Sequence, residues 1–386
     1  MRFQLRSHRL PGFFYFEVTL SESCDKILQF GSGRFLRSFV DLFVHESNQD
    51  VGPEQNIVVV QSTGSERARQ LNKGPFSVSI RGLSDGQTVD SVTAVESVSQ
   101  ALSASEEWQQ VTGVAQTSTL RTIVSNTTEV GLALDPADTV RSGVPRSYPA
   151  KLLDVLLSRY EAGESGLMIL PCELVEQNAD VLRGLVVYQA EIWGISADAV
   201  SWVRSENRWC NTLVDRIVSA PPDDHPLLAK SPLLSVTEPF ALWAVETRDE
   251  LPIQHPAIER VDDVSRYALR KVRILNGAHT ALVDRALDTF ETVREAMANP
   301  EMRTWLAELV HDEIVPSVTD RVDDAAVFAD RVFERFDNPF LDHRLADIAL
   351  HHKGKIEVRL RPTYTEYCKK FGKPPRLLGK VVERYT

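Results

Sequence analysis

Short apolar runs alternate with amphipathic stretches through the first half of the chain, the pattern of a βαβ sheet. Lys26 to Phe30 (KILQF) reads as a buried strand, followed by Gly31-Ser32-Gly33 and a helix to about Ser47. Asn56 to Val60 (NIVVV), Arg121 to Ser125 (RTIVS) and Leu167 to Leu170 (LMIL) predict three further strands. Phe76 to Ile80 and Val89 to Val95 flank Asp85-Gly86, a strong hairpin signal. Pro149 to Tyr160 predicts an amphipathic helix with its proline near the start. From about Ala179 the strand signals stop and helical periodicity takes over, over Asp198 to Val218, Val264 to Ala286, Pro300 to Val310 and Ala325 to Phe336. The expectation is an α/β domain over 1–215 and a helical one over 216–386, the boundary falling near residues 195–220. A chain of 386 residues is long enough for two domains.

Composition narrows the function classes. The chain is 43% hydrophobic and 25% charged with no biased tract, as a globular protein should be. A net charge of -11 argues against nucleic-acid binding, which needs clustered Lys and Arg, but leaves room for an anionic small molecule held by a few local cations. Cys24, Cys172, Cys210 and Cys368 form no CxxC pair, so neither a disulfide framework nor a zinc cluster is expected, and a reducing, cytoplasmic setting fits. No apolar run approaches the roughly 20 residues of a membrane helix. The opening MRFQLRSHRLPGFFYFEVTL is interrupted by Pro11, Gly12 and Glu17 and reads as an extension before the first strand rather than a leader.

The segment ILQFGSGRFLRSF combines strand, glycine turn and helix. In a dinucleotide-binding fold the glycines allow a tight turn and close approach of the pyrophosphate. Leu36 stands where a third glycine would, so the motif is incomplete. The second strand ends in Val60-Gln61-Ser62-Thr63, with no acid for the ribose 2′-hydroxyl. Arg67, just beyond, is either a solvated helix-start arginine or a partner for a 2′-phosphate, which leaves NAD against NADP open.

The second informative segment is KVRILNGAHTAL. At about 100° per residue, Lys271, Asn276 and His279 fall within an arc of about 140° on one helix, among Ile274, Leu275, Ala278 and Leu282. A lysine stripped of water there loses preference for its charged form, which suits a general base near neutral pH. Asn276 can donate to an oxygen developing negative charge, and His279 can hold a hydroxyl. Gly277 is costly inside a helix and suggests close approach of a ligand or backbone. The spacing alone is more often that of an ordinary amphipathic helix with one snorkelling lysine and a satisfied histidine.

KVRILNGAHTAL resembles the signature helix of the mannitol dehydrogenase family of long-chain polyol and uronate dehydrogenases, and specifically its tagaturonate reductase (altronate oxidoreductase) branch. The similarity continues through ILQFGSGRFLRSF, VVVQSTGS, IVSNTTEVG, LMILPCELVEQNADVL, NTLVDRI, EPFALW and RFDNPFLDHRLADIAL. It implies an α/β N-terminal Rossmann-type domain plus an all-α C-terminal domain. It also implies an NAD-dependent oxidoreductase interconverting a keto-uronate and its hydroxy acid. By resemblance Lys271 is the general acid/base, Asn276 and Asn178 form the oxyanion hole, and His279 binds substrate. Asp215 is an acid beside the lysine, or else an ion-pair partner of Arg216 or Arg273. Gly31, Ser32, Gly33, Arg34, Phe35, Gln61 and Asn126 correspond to the cofactor site. Lys355, Arg344 and Arg359 are the candidate cations for a substrate carboxylate, Lys355 matching a site lysine of relatives; no metal is expected.

Two departures bear on substrate. Relatives read Asn-Ser-x-Ser-Lys where this chain has His351-His352-Lys353-Gly354-Lys355, and uronate-reducing relatives continue beyond the position of Thr386. Other polyols of the family, and a relative that binds a dinucleotide without turnover, therefore stay open as alternatives. So does the oligomeric state.

Overall fold

The computed structural model describes residues 25–50, 54–127 and 131–385. The N-terminal extension with Cys24, and residues 128–130 of the IVSNTTEVG segment, lie outside the described residues.

Six strands form one parallel sheet: β1 (Asp25–Phe30), β2 (Gln55–Gln61), then, after the hairpin β3 (Phe76–Ser84) and β4 (Gln87–Val95), β5 (Val98–Ser103), β6 (Leu120–Ser125), β7 (Met168–Pro171) and β8 (Arg208–Trp209). Their order, β5-β2-β1-β6-β7-β8, is the 3-2-1-4-5-6 order of a doubly wound dinucleotide-binding sheet once the hairpin is set aside. Alternate residues of each central strand serve opposite faces. Ile27 and Ile57 join one apolar cluster with Phe39 and Trp243, while Leu28 and Val58 join the other with Leu152 and Leu156. A sheet covered on both faces needs apolar residues at consecutive positions, which is why its strands are plain in the sequence.

The hairpin closes with Ser84 opposite Gln87, and Asp85 and Gly86 both adopt positive φ (51° and 72°), the backbone that matches strand twist in a two-residue turn. The helix Tyr148–Glu161 begins as its proline suggests, with the Ser147 hydroxyl accepting from Ala150 N.

Two expectations fail between residues 198 and 261. The helix expected over Asp198 to Val218 ends at Ser205, and strands do not stop at Ala179. Beyond β8 come β9 (Thr212–Asp215), β10 (Val218–Ser219), β11 (Ser235–Thr237), β12 (Leu242–Glu246) and β13 (Ile258–Val261). At two to five residues each they are too short to show a period. β11 pairs with β3, and β12 runs between β9 and β13, so a division at 215/216 cuts through these small sheets.

From Ser265 onward the chain is helical, with its own core including Ile274, Leu282, Leu306, Ile314, Phe328 and Leu360. Three of its turns are wide, with i→i+5 bonding: Lys271–Leu275, Leu309–Ile314 and Ile356–Leu360. The expected helix Val264 to Ala286 is thus one rod, Ser265–Ala286, with a wide turn inside it. No helix among the described residues is long and apolar enough to cross a membrane.

Candidate active site

The glycine turn sits where the strand order reverses, between the carboxyl ends of β1 and β6, the position at which such sheets bind ligands. Gly31 has φ 128° and donates to Val60 O at 3.1 Å. A Cβ there would stand 2.9 Å from both Asn126 O and Leu36 Cδ1, so the position requires glycine. Leu36, in place of a third glycine, is the side chain that fills this contact. Gly33 has an ordinary φ of -68°, and a Cβ there would meet nothing within 4 Å, leaving open space above the turn. Ser32 is buried, its carbonyl accepting from Arg37 Nη1 at 2.6 Å. Arg34 is exposed, and Phe35 stacks on Phe39 with centroids 4.9 Å apart.

Asn126 ties three strand ends together, its N–H donating to Phe30 O and its Nδ2 to Cys172 O. Gln61 is committed within its own loop: Nε2 donates to Thr63 O at 2.6 Å and Oε1 accepts from Ala68 N at 2.7 Å. Both ends of its amide thus help shape the loop after β2.

The helical half presents the second part of the site. Lys271 opens the first wide turn, and Asn276 N–H bonds back to Lys271 O. That i→i+5 bond brings Asn276 nearer to the face of Lys271 than the arc expected from a regular helix. No hydrogen bond engages the Asn276 side chain among the described residues. Lys271 does not sit among apolar side chains alone, as the sequence suggests. Its Nζ donates to Val214 O at 2.7 Å and lies 3.6 Å from Asp215 Oδ1.

Asp215 is itself clamped. Arg335 donates to both its oxygens at 3.0 and 3.1 Å and to both oxygens of Glu238 at 2.8 and 3.0 Å. All three side chains are buried. Burial pushes the Asp215 carboxyl up, but Arg335 and then Lys271 outweigh it and hold it below the usual carboxylate range. Glu238 ends above that range, because burial and the neighbouring Asp215 outweigh Arg335. The ion pairs expected of Asp215 with Arg216 or Arg273 do not form. Arg216 donates to the Glu238 and Ser38 carbonyls, and Arg273 to Thr363 and Glu366.

His279 is buried, with Nδ1 3.1 Å from Leu275 O and its ring against Phe336 and His343. Burial, then His343 and Arg335, push its pKa well below the ordinary histidine value, so it is neutral. A carbonyl only accepts, so Nδ1 carries the hydrogen and Nε2 is left as an acceptor for a hydroxyl. The nearest backbone to Gly277 is Val272 O, 3.8 Å from where a Cβ would stand. A Cβ there would meet Leu360 Cδ2 at 3.4 Å and Ile314 Cδ1 at 3.7 Å, the last residues of the other two wide turns.

Asn178 does not supply an oxyanion donor. Its Nδ2 faces the carbonyls of Pro171, Glu173 and Thr212 at 2.9 to 3.1 Å, and its Oδ1 accepts from Ala179 N and Thr212 N. With two N–H bonds to give, it is spent on pinning β7 to β9. Glu173, flanked by Cys172 and Leu174, is likewise structural, accepting from Ser125 Oγ, Thr127 N and Thr127 Oγ1.

The three candidate carboxylate-binding cations separate. Arg344 is largely exposed and pairs with Glu291 at 3.6 Å on the surface. Arg359 donates to Thr280 Oγ1, next to His279, and Lys355 donates to Ile348 O. Burial, then Arg359, lowers the Lys355 pKa, and Lys355 in turn acts on His343. Neither Lys355 nor Arg359 makes an ion pair among the described residues. Glu238 and Arg335, the residues that sequence reasoning did not single out, lie within EPFALW and RFDNPFLDHRLADIAL, two of the segments that carry the resemblance.

A doubly wound sheet with a glycine turn at its switch point, joined to a helical part that brings up a lysine, defines a two-domain dehydrogenase-type fold. The chain belongs to the mannitol dehydrogenase family: residues 25–260 match the mannitol dehydrogenase Rossmann domain and 263–385 the mannitol dehydrogenase C-terminal domain. As a member it is an oxidoreductase acting on a CH–OH group. Altronate oxidoreductase of Bacillus subtilis (strain 168) is 35% identical over 373 residues, covering 92% of this chain and 77% of the relative. Altronate oxidoreductase of Halalkalibacterium halodurans is 36% identical over 377 residues, covering 93% and 74%. Among solved structures, a substrate-free D-sorbitol dehydrogenase superposes with a TM-score of 0.81 at 20% identity, covering 95% of this chain and 83% of that one. Pseudomonas fluorescens mannitol 2-dehydrogenase, in a ternary complex with NAD and D-mannitol, gives 0.74 at 21%, covering 95% and 79%.

Proposed function

We propose that the chain reduces a keto-uronate of the tagaturonate type to its hydroxy acid, or runs the reverse, with NAD(H) as hydride carrier. The observation that carries this reading is the pair of uncompensated cations, Lys355 and Arg359, on the Thr280 and His343 side of the lysine cluster. A carboxylate losing its water needs such partners, whereas a neutral polyol does not. The names of the altronate oxidoreductase relatives agree with it.

The residues present fit a dinucleotide. Gly33 leaves room for a pyrophosphate to approach the backbone, and Gly31 makes the turn that only glycine tolerates. A nicotinamide bound there supplies or accepts the hydride. Lys271 Nζ, as ammonium, gives its proton to the oxygen that becomes the hydroxyl, and in oxidation takes it back as the neutral amine. Asp215 and the Val214 carbonyl fix where that nitrogen stands, and Arg335 fixes Asp215. Asn276 Nδ2 donates to the same oxygen, while His279 Nε2 accepts from a neighbouring hydroxyl.

A panel of tagaturonate, fructuronate, fructose and hexitol phosphates, followed by NADH absorbance, tests the substrate class. The uronates should turn over best; a preference for a neutral or phosphorylated sugar overturns the assignment. Gly33→Val tests the cofactor site, because the fold has room for the side chain while the pyrophosphate does not. Unchanged NADH affinity would place the cofactor elsewhere.

A further inference from the structure

Glu238 takes no part in the reaction above, yet it holds the same guanidinium as Asp215. It is buried just after β11, and every partner of its side chain gives it a hydrogen: Arg335 Nε at 3.0 Å, Arg335 Nη2 at 2.8 Å and the Ile217 N–H at 2.6 Å. A group that only receives hydrogens is held as a carboxylate. The charges that face it are Arg335, Asp215 and Arg216, the last of which also donates to its backbone carbonyl.

One nitrogen joins the two acids. Arg335 Nη2 donates to Glu238 Oε1 and, at 3.0 Å, to Asp215 Oδ1. Asp215 Oδ1 is also the oxygen that stands 3.6 Å from Lys271 Nζ. A single guanidinium charge thus answers two carboxylates, and the surplus negative charge is left for the lysine. With Lys271 as ammonium the cluster is neutral; without the charge of Glu238 it would carry one positive charge too many. In sealed surroundings such an imbalance disfavours the ammonium. Arg270, stacked on Tyr267 and Phe328, acts on Asp215 as well and adds to the positive side.

Three segments fix this sharing. Ile217 follows Asp215 by two residues, so its N–H ties Glu238 to the end of β9. The Phe240 ring lies 4.4 Å from the Arg335 guanidinium. Pro239 and Asn338 close on Gly82 of β3, where a Cβ would stand 2.6 Å from Pro239 Cδ and 2.8 Å from Asn338 Nδ2. The hairpin therefore clasps the segment that carries Glu238 and the one that carries Arg335.

We propose that Glu238 is a positioning residue for proton transfer: by occupying Arg335 it leaves Asp215 able to support the ammonium form of Lys271. This rests on the reading of Lys271 as the proton-transfer group and extends it to a side chain two contacts away.

The pH profile of kcat, followed in both directions with the best substrate of the panel, tests it. Reduction needs the ammonium and oxidation the amine, so the lysine appears as a falling limb in one profile and a rising limb in the other. Glu238→Gln keeps the shape and removes the charge. It should move both limbs to lower pH by about 0.5–1 unit, with NADH affinity unchanged, while Asp215→Asn moves them the same way by about 1–3 units. Glu238→Asp should fall between wild type and Glu238→Gln, and it carries the test if the amide variant does not fold. Lower stability with both limbs where the wild type has them makes Glu238 structural and overturns the proposal. A shift to higher pH also overturns it. Limbs that move for Asp215→Asn alone overturn it and leave the reading of Lys271 intact. Limbs that move for neither acid overturn the two together.

Discussion

Two groups of charged side chains both act on His279, and they are built in opposite ways. The first, Lys271, Asp215, Arg335 and Glu238, is closed: every charge is paired and nearly every donor is matched. The second, Lys355 and Arg359, is open: Arg359 adds to the cost of charging Lys355, and neither pairs with a carboxylate among the described residues. A closed group holds its members still, whether or not anything is bound. An open group is in debt until an anion arrives. The difference separates positioning a proton-transfer nitrogen from recognising a substrate, although both depend on cations a short way apart.

The comparison can be broken at the closed group first, where effects should be largest. Lys271→Ala should lower turnover by about 10²–10⁴ while leaving cofactor affinity nearly unchanged, because proton transfer by a placed side chain is worth that much. Turnover close to wild type, measured with the best substrate of the panel, would remove Lys271 from the chemistry. Arg335→Met strands two buried carboxylates and should cost about 3–5 kcal/mol of stability, read as a lower denaturant midpoint. A midpoint unmoved by the substitution would show that the clamp carries no structural weight.

The open group should respond differently. Lys355→Met and Arg359→Met should each raise KM for the keto-uronate about tenfold or more, with little change for the matching neutral ketose. Equal effects on charged and neutral substrates would make these cations structural. Arg344→Ala, the surface member of the original three candidates, should change neither value, since an exposed pair contributes about 0–1 kcal/mol.

Between the two groups lies His279, and its test uses pH. Burial holds the folded-state histidine neutral far below the point, about pH 6.5, at which the unfolded chain takes up its proton. Below that point the unfolded state binds the extra proton, so stability falls as pH falls. The melting temperature of His279→Gln should therefore drop less than that of wild type between about pH 7 and pH 5. Parallel curves for the two proteins would mean that His279 is charged in the fold.

How much of this was legible beforehand follows from physics of different range. The parallel sheet showed itself because burial on two faces writes apolar runs into β1, β2 and β6. The hairpin showed itself because Asp85 and Gly86 tolerate positive φ. The strands from β9 to β13 did not, being too short for any period. Lys271, Asn276 and His279 stood out on one helix, but their partners did not. Arg335 reaches Asp215 across 120 residues and Glu238 across 97, separations on which local patterning is silent. Asn178 misled for a related reason: whether an amide faces a ligand or a carbonyl is decided by where two strands end, not by the residues beside it.

The wide turn at Lys271–Leu275 has a consequence for recognising such proteins at all. It accommodates one more residue than an ordinary turn while the helix on either side continues undisturbed. A helix that lost a residue between Lys271 and Asn276 would close as a regular turn with the two side chains still stacked, now four positions apart. The spacing of lysine and asparagine is therefore not a fixed ruler. A search that demands one interval between them will pass over relatives that keep the same arrangement in space with a residue fewer in the chain.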